Sequence, residues 1–263
     1  IIRRNNIMSV LTLGNENFDD VWNDPLLKHS NIMSSLFHQH VVLCESDSDC
    51  KLYSIIESHI KQKSDKYSET LYIHCGGKHR MAKIAKALKM LNIDTKLIPD
   101  IDVLNDENVY RSIVEAFGIE WASIEGHYKT IVGNLHSVKE NIKRSEATAV
   151  IEQVLSSSKN ATLSKKEIET IKEALKTVSK WATLKEFGTN AIRRGDATVA
   201  FDSMNTILKE HGIYIVPVGE LECFIKEVGG HGPDWVNTVL EKYPNLDDPV
   251  YKEISKFVQS INL

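Results

Sequence analysis

Residues 41–49 read VVLCESDSD, and the reading of this stretch decides the fold. Residues 41–44 form a continuous apolar run, the form a strand takes when both of its faces are covered in a parallel sheet. Acidic and hydroxyl residues follow at once. Leu52, Ile55, Ile56 and Ile60 then recur at helical spacing through 51–63. Working outward, the alternation repeats. Residues 71–73 read as a second strand, closed by Gly76 and Gly77. Residues 81–91 read as a helix with Ile84, Ala85, Leu88 and Leu91 on one face. Residues 95–98 are a third strand, closed by Pro99 and Asp100. This β-α-β-α-β order predicts an α/β fold with a parallel sheet and right-handed crossovers.

Further from that centre the pattern is mostly helical. Residues 1–13 read as a strand belonging to a preceding domain, and 25–38 as a short helix after the Asp24-Pro25 turn. Helices are expected over 108–117, 127–143, 197–211, 234–242 and 249–260. Residues 156–162 are a polar loop, and Ser164 with Glu167 is a capping box before Ile168, Ile171, Leu175 and Val178. Gly212 ends one helix and 213–217 is a further strand.

The 263 residues, 42% hydrophobic and 26% charged, suit one large domain or a core with an appendage. The formal net charge of −4 excludes a polycation, so any nucleic-acid role must rest on a local basic patch or on metals. Cys44, Cys50, Cys75 and Cys223 form no CxxC pair, which argues against zinc. Three of them lie in or beside apolar runs, as expected of buried thiols in a reducing, cytoplasmic compartment. No apolar run reaches membrane-spanning length, so no membrane is expected. The first residue is Ile1, mid-pattern, and the chain reads as a piece of something longer.

Three acidic groups each follow an apolar β-like run: Glu45 and Asp49, Asp100 and Asp102, Glu220 and Glu222. In open α/β sheets, ligands sit outside the carboxyl ends of the parallel strands. Carboxylates brought together there repel unless a cation neutralises them, and all-oxygen donors select Mg²⁺, Mn²⁺ or Ca²⁺. Such sites suit phosphodiester chemistry, in which one ion activates water and another steadies the leaving oxygen. Lys78 and Arg80, just past the second strand, are placed to offset phosphate charge.

The stretches VVLCESDSD, HCGGKHRMAKIAKAL, LIPDIDVLND and IVPVGELECFI together resemble a Toprim domain, the fold of topoisomerases, primases and certain nucleases. More narrowly they resemble the Toprim region of nucleases of the overcoming lysogenization defect (OLD) family. The resemblance covers 40–145 and, less fully, 212–245. It implies a Toprim-like parallel sheet flanked by helices, with a helical insertion. The implied divisions are the end of an ATPase domain or linker over 1–39, a Toprim core over 40–145, the insertion over 146–211, and completion over 212–263.

It further implies that Glu45, Asp49, Asp100, Asp102 and Glu222, with Glu220 beside it, hold one or two Mg²⁺ or Mn²⁺ ions. Lys78 joins Glu45, Asp100 and Asp102 as catalytic. A basic residue late in the chain, Lys242 or Lys252, completes the family's set. Where many Toprim domains carry Gly after the first Glu, this chain has Ser46, expected to narrow that loop. The implied activity is metal-dependent DNA endonuclease in antiviral defence, with an ABC-type ATPase domain in the same longer chain and a homo-oligomeric assembly. A nucleotidyl transferase or primase-like activity, or a non-catalytic interaction module, are the alternatives.

Plainer readings stand beside these. Asp47 is a solvated loop residue or a cap, and Asp106 and Glu107 are helix-start acids. His74 reads as a core histidine, and His79 as exposed. Gly76-Gly77 lacks the spacing of a P-loop and reads as a tight turn. Arg193 and Arg194 are a candidate DNA-facing pair or a solvated face. Trp181 and Phe187 read as core, and the stretch from His231 to Trp235 as a turn into a capped helix, with Trp235 packed inside.

Overall fold

The computed structural model describes residues 2–4, 7–9, 31–136, 144–157, 160, 162–174, 180–192 and 195–261. Two short strands, β1 (Ile2–Arg4) and β2 (Ile7–Ser9), pair antiparallel. The centre is a parallel sheet in which β3 (His40–Cys44) lies between β4 (Thr70–His74) and β5 (Asp94–Ile98). The register sets Cys44 level with His74 on one side and with Ile98 on the other. All three strand ends therefore open at one edge of the sheet.

Ten α-helices are present among the described residues: α1 (Asp47–Gln62), α2 (Lys78–Met90), α3 (Glu107–Ala116), α4 (Trp121–His136), α5 (Arg144–Ser156), α6 (Lys165–Ala174), α7 (Lys180–Phe187), α8 (Asp196–Glu210), α9 (Gly232–Lys242) and α10 (Lys252–Ser260). A 3-10 turn occupies Asn31–Phe37, inside the helix expected over 25–38, of which 25–30 lie outside the described residues. The α/β class and the parallel sheet are as expected, with each central strand a residue or so longer than its apolar run.

Strand alternation explains the two-sided core. Val41 and Leu43 point into one cluster with Met81, Leu88, Tyr110, Ile124 and Met204. Val42 and Cys44 point into the other with Leu52, Tyr53, Trp235, Tyr251 and Ile254. Both faces of β3 are thus sealed, which is why its run is uniformly apolar. Trp235 is buried as expected, and its indole donates to the Val228 carbonyl at 2.9 Å. His74 differs from expectation. It is exposed because β4 is the outer strand of this sheet, with most of its residues only half covered. Phe187 is also exposed rather than core, with the Lys226 ammonium over its ring at 5.1 Å.

The stretch expected as a further strand, 213–217, runs extended and parallel beside β5. It makes one bridge, Leu97 to Ile213, instead of a full ladder. The Leu97 amide donates to the Gly212 carbonyl, and the Tyr214 amide to the Leu97 carbonyl. The capping box at Ser164 and Glu167 forms. Of 156–162, expected as a loop, Ser156 closes α5 and 158, 159 and 161 lie outside the described residues, as do 137–143 and Leu175 and Val178. No helix among the described residues is long and apolar enough to cross a membrane. All four cysteines are unbridged; Cys44, Cys50 and Cys75 are buried and Cys223 is half-buried.

Candidate metal centre

Glu45 follows β3 directly, and Asp100 follows β5 after Pro99, so the register that aligns Cys44 with Ile98 brings the two acids to neighbouring positions. Asp102 sits two residues on, in the 3-10 segment Ile101–Asn105. The late loop is stitched to this turn. The Val216 amide donates to the Pro99 carbonyl at 3.0 Å, and the Ile101 amide to the Gly219 carbonyl at 3.1 Å. Those two bonds carry Glu220 and Glu222 to the same edge.

Asp49 arrives differently from the sequence reading, which places it in a loop ahead of the helix. It lies in the first turn of α1, which begins at Asp47. Ser46 is the cap residue, with extended backbone (φ −123°). The Asp49 carboxylate accepts from the Ser46 amide at 2.8 Å and the Ser46 hydroxyl accepts from the Asp49 amide at 3.3 Å. This capping box explains why Ser stands where glycine is common: its φ needs no glycine, and its hydroxyl satisfies a free helix amide. Asp47 is exposed and Asp106 caps α3 through the Val109 amide, so neither joins the cluster.

The acids repel one another as expected of a cation site. Burial drives the Asp49 carboxyl up to about 6, against the two Ser46 hydrogen bonds that favour its charge, with Glu222 adding repulsion. Burial raises Glu45 as well; Asp102 and Asp49 push it further, while Lys78 and Lys185 pull back. Asp100 is held well above the usual carboxylate range, first by burial and then by Asp49, Glu45, Asp102 and Glu220. One oxygen each of Glu45 and Asp102 is buried with no hydrogen-bond partner. A buried carboxylate oxygen without a partner is costly, and a hard divalent ion is the ligand it fits.

Two ammonium groups border the cluster. Lys78, the first residue of α2, donates to the Asp102 carboxylate at 3.1 Å and to the Asp102 carbonyl at 3.2 Å. Lys185, on α7, pairs with Glu220 at 2.8 Å; this hydrogen bond raises its proton affinity, and Asp102 and Asp100 add to the effect. The sequence reading missed Lys185. It also read His231 only as part of a turn. The His231 Nδ1 lies 3.6 Å from Glu222 and 3.8 Å from Glu220, and ligand atoms of these three residues fall within 4.8 Å of one another. Glu222 also accepts from the Gly232 amide at 2.9 Å, so it caps α9 where His231 supplies no side-chain bond.

The remaining candidates lie elsewhere or are engaged. Arg80 is exposed on α2 beside Gly76. Lys242 donates to the Glu227 carbonyl at 3.2 Å and stands over the Tyr243 ring, and Lys252 is exposed at the start of α10. Arg193 and Arg194 lie outside the described residues.

Residues 36–102 match the family model described as "Overcoming lysogenization defect protein-like, TOPRIM domain". The match ends at Asp102, so Lys185, Glu220, Glu222 and His231 fall beyond it. Toprim domains bind divalent metals and act on nucleic acids. Neither the curated proteins nor the solved structures gave a match.

Proposed function

Starting from a Toprim domain of the OLD-like type over residues 36–102, we propose that the chain cuts DNA phosphodiesters at the carboxylate cluster, using Mg²⁺ or Mn²⁺. The observation that carries this reading is the pair of buried, unpartnered oxygens on Glu45 and Asp102, in a pocket where burial, with repulsion from neighbouring acids, also raises the proton affinity of Asp49 and Asp100. Glu45, Asp49, Asp100, Asp102, Glu220 and Glu222 would hold one or two ions, with His231 as an added nitrogen donor. A bound divalent ion supplies Lewis-acid polarisation of the phosphodiester and a readily deprotonated water.

The chain's own residues do the rest. Lys78 and Lys185 stand at the border of the acids, where each can offset charge on a phosphate. Burial of Glu45, Asp49 and Asp100 excludes water and strengthens every charge interaction in the pocket. The OLD-like character of the domain supports a place as the nuclease portion of a longer, oligomeric protein with an ABC-type ATPase domain, acting in antiviral defence.

The test is incubation of supercoiled plasmid with the chain and Mn²⁺, beside its Glu45→Ala form. The expected result is nicked or linear plasmid with the first and a loss of at least about a hundredfold with the second. Equal cutting by both, or nucleotide incorporation without cutting, would overturn the reading.

A further inference from the structure

Helix α2 carries Lys78, Arg80, Lys83, Lys86 and Lys89, together with His79, and no Asp or Glu. Within a chain of net charge −4, this is a strong local excess of one sign. Its buried residues, Met81, Ile84, Ala85, Ala87 and Leu88, face the sheet, so the cations Arg80, Lys83, Lys86 and Lys89, with His79 among them, line the exposed side.

A solvated helix face is the ordinary explanation of surface lysines, and other helices of this chain show what it looks like. Lys61 pairs with Glu57, Arg111 with Glu115 and Lys129 with Glu125, each four residues apart on one helix. These pairs each support their helix slightly. Helix α2 has no acid of its own for such a pair, and Lys89 instead lies over the Phe117 ring at 4.9 Å. Three of its cationic or titratable groups, Lys78, His79 and Arg80, also crowd its first turn, where the helix dipole disfavours positive charge. Its start has no side-chain cap. Pairing within the helix and its dipole therefore do not account for the arrangement. The helix begins at the metal centre, with Lys78 on Asp102 and the Gly77 amide donating to the Glu45 carbonyl at 3.0 Å. From there its cations run away from the centre for about 16 Å at 1.5 Å per residue.

We propose that the exposed face of α2 is a docking surface for the phosphate backbone of duplex DNA, guiding one strand toward the carboxylate cluster. This rests on the nucleic-acid reading of the Toprim site. Charge complementarity identifies the partner: duplex DNA presents a charge about every 1.7 Å of its axis, and an acid-free cationic face of this length matches several phosphates. Lys83 and Lys86 lie beyond the chemistry and serve binding.

The experiment is fluorescence anisotropy of the full chain with a short duplex in EDTA, over about 50–200 mM salt, comparing the parent with Lys83→Gln/Lys86→Gln. Glutamine removes the charge and retains helix propensity. Circular dichroism and an unchanged thermal midpoint confirm the fold. Two lost phosphate contacts predict a log–log salt slope shallower by about two, with affinity falling about tenfold or more at 50 mM salt. Lys129→Gln/Lys165→Gln, exposed lysines on other helices, leaves the slope unchanged. An unchanged slope in the α2 variant, equal effects of the two pairs, or no salt-dependent binding by the parent would overturn the proposal. Plasmid cutting with Mn²⁺ reads the nuclease assignment separately: cutting with an unaltered slope removes the docking surface alone, and an altered slope without cutting removes the nuclease alone.

Discussion

Asp49 accepts two opposing demands. Its hydrogen bonds with Ser46 cap α1 and favour the carboxylate, while burial and Glu222 favour the acid, and the second set prevails. A carboxyl whose folded value stands at about 6, above the unfolded value near 3.9, stabilises the protein fully only below the latter. That contribution is lost as pH rises through about 6. Glu45 and Asp100, raised by the same burial, act in the same direction. Metal-free protein should therefore weaken between about pH 4 and 6, and Asp49→Asn should make it more stable at pH 7.5 by up to about 3 kcal/mol. Urea unfolding in EDTA at pH 5 and 7.5 measures this; a pH dependence undiminished in the variant would contradict the account. Glu45, Asp100 and Asp102 were legible in the sequence because each follows a short apolar strand. The role of Ser46 was not, since a serine after a strand looks the same whether it narrows a loop or opens a helix.

At the scale of elements, α7 and the loop after 213–217 are joined so closely that only glycine fits. Gly219, at φ +116°, lies where a β-carbon would overlap the Lys185 carbonyl, and Gly188, at φ +59°, where one would overlap the Pro217 carbonyl. The Thr189 amide donates to that same Pro217 carbonyl at 2.8 Å, and Leu184 is fully buried in the core below. This junction delivers Lys185 to Glu220. Gly219→Ala should cost about 2–4 kcal/mol of stability in chemical unfolding, from strain at positive φ added to backbone overlap. A loss below about 0.5 kcal/mol, the size of an ordinary surface change, would show the junction to be loose. Lys185 could not be found from sequence: within WATLKEF it is one lysine on a short helix, and its partner lies 35 residues later. The glycines were the available signal, yet a lone glycine does not reveal which backbone it must approach.

For the whole molecule, the parallel sheet and its two-sided core followed from apolar runs of strand length, and these are local. The assembly of the centre is not local, because it draws on Glu45, Asp49, Asp102, Lys185, Glu222 and His231. If divalent ions bind where these meet, saturating Mn²⁺ at about 100 times its dissociation constant should add about 2.7 kcal/mol of stability and raise the thermal midpoint by several degrees. Calorimetry on the parent and on Glu45→Gln checks this, and an equal rise in both would place the ion elsewhere. The stitching of Ile101 to Gly219 and Pro99 to Val216 also has a bearing on synthesis. A ribosome that has reached residue 200 has made Glu45, Asp49, Asp100 and Asp102 but not the loop that closes over them. At that point two carboxylates are missing and Lys185 has no anchor. On the proposed reading, a metal-dependent nuclease would gain its full ligand set only once the chain had been translated past His231.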